Sequence, residues 1–224
     1  MKKVIIILSG GMDSSLTAYK MKALGYTLIT LHFSYGQRTE TREVQAFNNI
    51  SDSLNVSNRH HISLPFFKDI GIGMTSLIDS NLEINEAGVD DVEVPNSYVP
   101  FRNGIMLSIA TAIAEKENAN GISIGVVEED SSGYPDCRQD FISDFTRSIN
   151  SGTKNGNLKI FTPLINLKKS EIVTEALKLQ VPLNLTWSCY QNSAKACGVC
   201  DSCRLRLNGF QIANQTDPIP YINV

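Results

Sequence analysis

Val4-Ile5-Ile6-Ile7-Leu8-Ser9-Gly10-Gly11-Met12-Asp13-Ser14-Ser15 decides the fold. The apolar, mostly β-branched run at its start has the length of a buried strand. Ser9 and the paired glycines end that strand. Two glycines let a backbone turn tightly and approach a ligand without interference from a Cβ. A helix is expected over 13–24, with Gly25 as its stop. Its first turn brings Asp13 and two hydroxyls, its free N–H groups and the positive end of its dipole, which together make an anion cradle suited to phosphate or pyrophosphate. A plainer alternative is a glycine turn capped by Asp13 or a serine. The loop has neither the Gly-Lys-Ser/Thr ending of a Walker A motif nor the dinucleotide Gly-x-Gly-x-x-Gly spacing.

Outward from this stretch, strand and helix patterns alternate. Further strands are expected over 26–33, 59–64, 121–126 and 158–164, and helices over 41–54, 104–117, 140–149 and 168–180. Strands separated by helices imply right-handed crossovers, hence an α/β fold with a parallel twisted sheet and helices on both faces. The first strand then delivers the glycine loop to the carboxyl edge of the sheet, where open α/β sheets bind ligands. Two segments break the rhythm. Residues 65–102 carry Gly71, Gly73, Gly88, Pro95 and Pro100 and read as a lid, a binding loop or a disordered segment. From Pro182 the chain carries a cysteine cluster and then Asp217-Pro218-Ile219-Pro220. The expected division is a nucleotide-binding body over 1–181 and a C-terminal segment over 182–224 packed on it.

The 224 residues are 42% hydrophobic and 19% charged, with a net charge of −3. That balance argues against a disordered chain and against a general basic face for nucleic acid. The apolar start is too short for a signal peptide, and the stretch over 104–114 falls short of the roughly 20 residues that span a bilayer. A cytoplasmic protein with no membrane partner is expected.

Four of the five cysteines form Cys189-x7-Cys197-x2-Cys200-x2-Cys203. In a reducing compartment such crowding favours metal over disulfides. Four thiolates complete a tetrahedral zinc site with no open position, which is a structural role. An iron–sulfur cluster is the other metal that four cysteines hold. Cys137 stands apart, either as a small core residue or as part of a site.

Polar residues gather after the strands. In Tyr35-Gly36-Gln37-Arg38, Arg38 is a candidate bidentate contact for phosphate or carboxylate, or else a solvated arginine. Pro95-Asn96-Ser97-Tyr98-Val99-Pro100-Phe101-Arg102-Asn103 runs into the helix over 104–117, with Asn103 as a candidate cap. Arg102 gains nothing from a helix N-terminus, so a ligand role is favoured for it. Ser131-Ser132-Gly133-Tyr134-Pro135-Asp136-Cys137-Arg138 combines a ring that can stack on a heterocycle with a carboxylate that can accept from the N–H edge of a guanine-like base. Glu128 and Glu129 read as surface charges or metal neighbours. His32, His60 and His61 lie in strands and read as core histidines.

Together these stretches resemble the 7-cyano-7-deazaguanine synthase family of the ATP pyrophosphatase superfamily. The resemblance rests on LSGGMDSS at 8–15, YGQR at 35–38, VPNSYVPFRN at 94–103 and GYPDCR at 133–138. It continues in TPLINL at 162–167, LTWSCY at 185–190 and ACGVCDSCRLRL at 196–207. It implies an adenine nucleotide hydrolase-like fold and an ATP-dependent ligase of queuosine precursor synthesis. Such an enzyme takes 7-carboxy-7-deazaguanine and ammonia to the nitrile through adenylated acid and amide intermediates, releasing AMP and pyrophosphate. By the same resemblance Leu8, Ser9, Gly10, Gly11, Met12, Asp13, Ser14 and Ser15 bind ATP, and Asp13 helps place Mg²⁺. Asp13, Ser14, Arg38 and Arg102 serve catalysis, while Tyr98, Arg102, Tyr134, Asp136 and Arg138 hold the substrate. Cys189, Cys197, Cys200 and Cys203 hold Zn²⁺, and the protein is a homodimer. Two departures stand out, since the family often has an aromatic residue where this chain has Ser131 and alanine where it has Phe101. Three other readings stay open. They are a superfamily relative that thiolates tRNA, a zinc-stabilised nucleotide-binding module without catalysis, and a ligase that stops at the amide.

Overall fold

The computed structural model describes residues 2–84, 94–128 and 134–222. Glu129, Ser131, Ser132 and Gly133, and residues 85–93 of the long loop with Gly88, lie outside the described residues. At the centre of the fold is β1 (Lys3–Ile7), flanked by β2 (Thr27–Ser34) and β4 (Gly121–Ser123), with β3 (Arg59–Ser63) and β5 (Lys159–Phe161) at the edges. All pairings are parallel, with Ile5 opposite Ile29 on one side and Ile122 on the other. The strand's side chains alternate between faces, as the two-residue period requires. Val4, Ile6 and Leu8 pack with α1 (Met12–Ala23) and α2 (Glu40–Ser53). Ile5 and Ile7 pack with α4 (Arg102–Lys116) and α5 (Gln139–Gly152). Burial on both faces is why this strand reads as an unbroken apolar run.

Two helices build a flank beside this sandwich. Met12 and Leu16 of α1 pack on Ile172, Val173 and Ala176 of α6 (Lys169–Lys178) and on Phe210 of α7 (Asp201–Ile212). A Cβ on Gly209 would stand 2.6 Å from Lys169 Cγ, so this glycine lets α7 close onto the start of α6.

The structure refines several sequence expectations. The helix α7 has no counterpart among them; it begins directly after Cys200 inside the cysteine cluster. The 65–102 segment contains a short helix, α3 (Phe67–Gly71), whose Phe67 is fully buried in the main core. β4 ends at Ser123 rather than 126, because the chain must next pass the backbone of the glycine loop at Gly125. β5 ends at Phe161, two residues before Pro163, which has no N–H to donate. Asn103 does not cap α4. The N-cap is Phe101, in the left-handed region at φ 52°, and its ring lies over the Cα of Gly104 and edge-on to Phe141. Among the described residues no helix is long and apolar enough to cross a membrane.

Candidate active site and cysteine cluster

The first strand pairs with β2 on one side and β4 on the other, so a crevice opens at its carboxyl end. A cavity of about 680 Å³ fills it, within the size range of small-molecule sites. The glycine loop forms its floor. Gly10 has φ 86°, and a Cβ there would meet Ala46 of α2 at 2.6 Å, so only glycine allows α2 to pack this closely. The Gly10 carbonyl accepts from the Trp187 N–H at 2.9 Å, which fastens the C-terminal segment to the loop. Ser9 Oγ accepts from the Gly11 N–H and lies 3.0 Å from Ser14 Oγ.

Of the loop residues, Leu8, Ser9, Gly11, Met12, Asp13 and Ser14 line the cavity. Gly10 and Ser15 stand behind it. The Ser15 hydroxyl is fully buried and donates to the Gly11 carbonyl at 2.7 Å, so it shapes the turn from within. Asp13 Oδ2 lies 2.9 Å from Lys169 Nζ, while its Oδ1 is buried without a hydrogen-bond partner.

The opposite wall is aromatic and cationic. Arg102 donates to Tyr35 Oη at 3.1 Å, and Tyr134 and Tyr190 also line this part of the cavity. Burial works against the Arg102 charge, but Tyr35, Tyr190, Tyr134 and Asp136 around it outweigh that and raise its pKa. Burial likewise pushes all three tyrosine hydroxyls up, so they stay neutral donors and acceptors at physiological pH. The Tyr134 hydroxyl lies 2.7 Å from Ser97 Oγ.

Of the remaining sequence candidates, Arg38 alone touches the main cavity. Tyr98 accepts from the Phe101 N–H and stacks on Tyr134 at 5.9 Å; it borders a small recess beside Arg102 rather than the main cavity. Asp136 is 3% exposed and off the main cavity wall; its oxygens accept from the Asn103 backbone N–H at 2.9 Å and amide at 3.2 Å. It therefore satisfies the start of α4, the position that the sequence assigned to Asn103. Arg138 is exposed at the N-cap of α5, off the cavity wall. Arg38 reaches the wall, but its guanidinium donates to the carbonyls of Asp79 and Leu82, which pins the long loop, while its Nε is buried without a partner.

Sequence reading missed several wall residues. Lys169 opens α6 in a stretch that reads as an ordinary amphipathic helix start. Gly125 follows β4 with no motif around it, yet a Cβ there would stand 2.9 Å from the Ser14 nitrogen. Glu43 lies on α2, three residues before Ala46, and lines the cavity. Ser202 and Arg206 of α7 also reach it.

The four cluster cysteines are buried, with ligand atoms all within 4.8 Å of one another. Cys197 Sγ and Cys203 Sγ lie 3.9 Å apart, and a tetrahedron with Zn–S bonds of about 2.3 Å has edges of roughly 3.8 Å. Backbone N–H groups of Gln191, Asn192 and Cys197 point at Cys189 Sγ at 3.3–3.4 Å, which favours a thiolate. Thiols donated by Cys200 and Cys203 pull Cys189 down, and the same contacts push Cys203 up. Four thiolates this close repel one another, so full ionisation calls for a cation among them. Among the described residues no histidine or carboxylate joins the set, which fits a soft metal.

The tail is anchored by Arg206, which is 1% exposed. It forms a two-pronged pair with Asp217 at 2.6 and 2.9 Å, and it also donates to Thr186, Ser188 and the Leu183 carbonyl.

The family model described as Queuosine biosynthesis protein QueC matches residues 3–214. A 7-cyano-7-deazaguanine synthase of Nautilia profundicola is 58% identical over 222 residues, covering 99% of each chain. One from Sulfurimonas denitrificans is 56% identical over 99% of this chain and 98% of its own. Among solved structures, a 4-thiouridine synthetase–RNA complex with bound ATP aligns with a TM-score of 0.54 at 18% identity, over 98% of this chain and 47% of that one. The U34-tRNA thiolase NcsA of Methanococcus maripaludis aligns with a TM-score of 0.51 at 19% identity, over 95% and 65%. These structures share the fold. With the family match spanning nearly all of a chain that carries the glycine loop and the cysteine cluster, the protein belongs to the queuosine biosynthesis QueC family, whose relatives here are 7-cyano-7-deazaguanine synthases.

Proposed function

We propose that this enzyme uses ATP to convert 7-carboxy-7-deazaguanine and ammonia to 7-cyano-7-deazaguanine. The observation that carries the reading is one cavity with an anion cradle on its floor and an Arg102–tyrosine wall facing it. ATP's phosphates fit the cradle of Gly11, Ser9 and Ser14, where N–H and hydroxyl groups are fixed before the substrate arrives. Lys169 supplies a cation for the charge that grows on the departing pyrophosphate. The buried, unpartnered Asp13 Oδ1 fits a Mg²⁺ ion, which when bound would neutralise phosphate charge. Arg102 is the natural seat for the acid's carboxylate, and Tyr134 offers a face for its heterocycle. The buried wall keeps water from the acyl-adenylate.

The cysteine cluster fits Zn²⁺ held by Cys189, Cys197, Cys200 and Cys203, closed to substrate and therefore structural. It fastens α7 beside the cavity. A homodimer and a cytoplasmic location belong to the same reading, and light scattering tests the first.

The test is one incubation of protein, Mg-ATP, an ammonium salt and 7-carboxy-7-deazaguanine, resolved by chromatography with mass detection. Nitrile with AMP is expected. Amide alone would make the protein a ligase that stops halfway, and no turnover with ATP bound would overturn the reading.

A further inference from the structure

We propose that Glu43 is the proton acceptor that turns bound ammonium into the attacking ammonia. This rests on the ammonia-dependent reaction proposed above. At neutral pH the nitrogen source is almost all ammonium, which has no lone pair. It needs an anionic site to hold it and a base to take a proton.

Glu43 is placed for both tasks. It projects from the face of α2 that packs on the glycine loop through Ala46, and it lines the cavity. Neutral groups fix its carboxylate: the Thr39 hydroxyl donates to Oε1 at 2.9 Å, and the Gln37 amide donates to Oε2 at 3.1 Å. Gln37 is itself locked, since its Oε1 accepts from the Tyr35 N–H at 2.8 Å. Each carboxylate oxygen keeps a further lone pair for an ammonium N–H.

Among the described residues the wall carries two other carboxylates. Asp13 is engaged by Lys169 at 2.9 Å. Burial also raises the Asp201 carboxyl, with Arg204 opposing, but Asp201 opens α7 beside the cysteine cluster, whereas Glu43 is held by two neutral donors on the α2 face that meets the glycine loop. His32 is too weak a base, because burial lowers its pKa to about 4. Desolvation pushes the Glu43 carboxyl up, the direction a proton acceptor needs; the Thr39 and Gln37 hydrogen bonds and Arg102 oppose it, and Glu40 adds to it. Arg102 and Glu43 thus set a cation and an anion within electrostatic reach on one wall. The first suits the carboxylate that is activated, the second the nitrogen that replaces its oxygen.

The step balances. Glu43 takes one proton from ammonium. The freed lone pair forms the C–N bond at the acyl carbon, and the C–O bond to AMP breaks with its electron pair on AMP. The second nitrogen proton leaves to solvent, as does the one on Glu43.

Glu43→Gln in the full chain tests this. Exchange of labelled pyrophosphate into ATP, run with the acid and without ammonium, should stay within about twofold of the parent. Amide formation at neutral pH should lose about a hundredfold in kcat/KM for ammonium, within the span of general-base effects. The loss should shrink as rising pH supplies free ammonia, and Glu43→Asp should recover part of it. An unchanged ammonium dependence, or a parallel loss of exchange and amide formation in a folded variant, would overturn the role. Should the glutamine variant not fold, the aspartate variant decides, with its own ammonium defect required. Absence of exchange in the parent would instead sink the adenylation reading itself.

Discussion

Lys169 Nζ lies 2.9 Å from Asp13 Oδ2, joining two residues 156 positions apart. Both residues line the cavity beside the glycine loop, with one carboxylate oxygen engaged and the other buried without a hydrogen-bond partner. At the phosphate site proposed above, the Lys169 ammonium offsets the Asp13 carboxylate. Lys169→Met is therefore expected to cut AMP formation by about 10²–10³-fold, the scale of one lost electrostatic donor at a developing charge. Pyrophosphate exchange at saturating acid measures it, and parent-like exchange would remove Lys169 from the site.

Gly125→Ala tests the contact between β4 and the loop. A Cβ at 2.9 Å from the Ser14 nitrogen and 3.0 Å from the Asp13 carbonyl carbon meets backbone, which has little room to yield. ATP affinity should fall at least tenfold, by calorimetric titration, while the cooperative thermal transition persists. Parent-like affinity would show that the loop tolerates displacement.

Arg206 and Asp217 form an ion pair with both side chains 2% exposed. Removing one partner leaves a buried charge uncompensated, which costs about 3–5 kcal/mol. Arg206→Met and Asp217→Asn should each destabilise on that scale in urea titrations. The double variant should lose less than their sum, because no charge is then left stranded. Strict additivity would mean that the two charges act independently.

Cys200→Ser should lose bound metal and stability together, since metal binding to such a cluster is coupled to folding. Elemental analysis with a thermal melt reads both. A stable, zinc-loaded variant that is merely slow would contradict a structural metal.

His32 gives stability an acid limb. Burial lowers its pKa from 6.5 to about 4, while its Nδ1–H donates to the Leu8 carbonyl and its Nε2 has no partner. Between those values the unfolded chain binds the extra proton, so stability rises with pH across the window and is lost as pH falls through it. The contribution lost by about pH 4 is roughly 3 kcal/mol. In His32→Gln the stability-versus-pH curve should flatten over this window. An unchanged slope would assign the limb to other groups.

Much of the molecule is legible in local sequence. Val4–Leu8 reads as a doubly buried strand because a central parallel strand has no solvent face. Ser9–Ser15 reads as an anion cradle because strand, glycines and hydroxyls are contiguous. The cysteine spacing reads as a closed metal site because the ligands lie within one short segment. Such features are fixed by near neighbours along the chain, whose backbone preferences and side-chain period do not wait for the rest of the fold.

What only the tertiary structure decided depends on which distant segments share one sheet edge. Lys169 reaches Asp13 because α6 packs on α1, Ile172 and Val173 against Met12 and Leu16. Gly125 matters because β4 lies beside β1. Glu43 faces the cavity because Ala46 sits on Gly10. Asp136 has the look of a base-reading carboxylate, and in the fold it accepts from Asn103 at the buried start of α4, off the main cavity wall. Helix α7 escaped notice because it starts inside the cluster, with Cys200 at its N-cap and Cys203 in its first turn, which masks the helical period. Register, close approach and the satisfaction of buried polar groups are properties of packed pairs, and no local pattern records them.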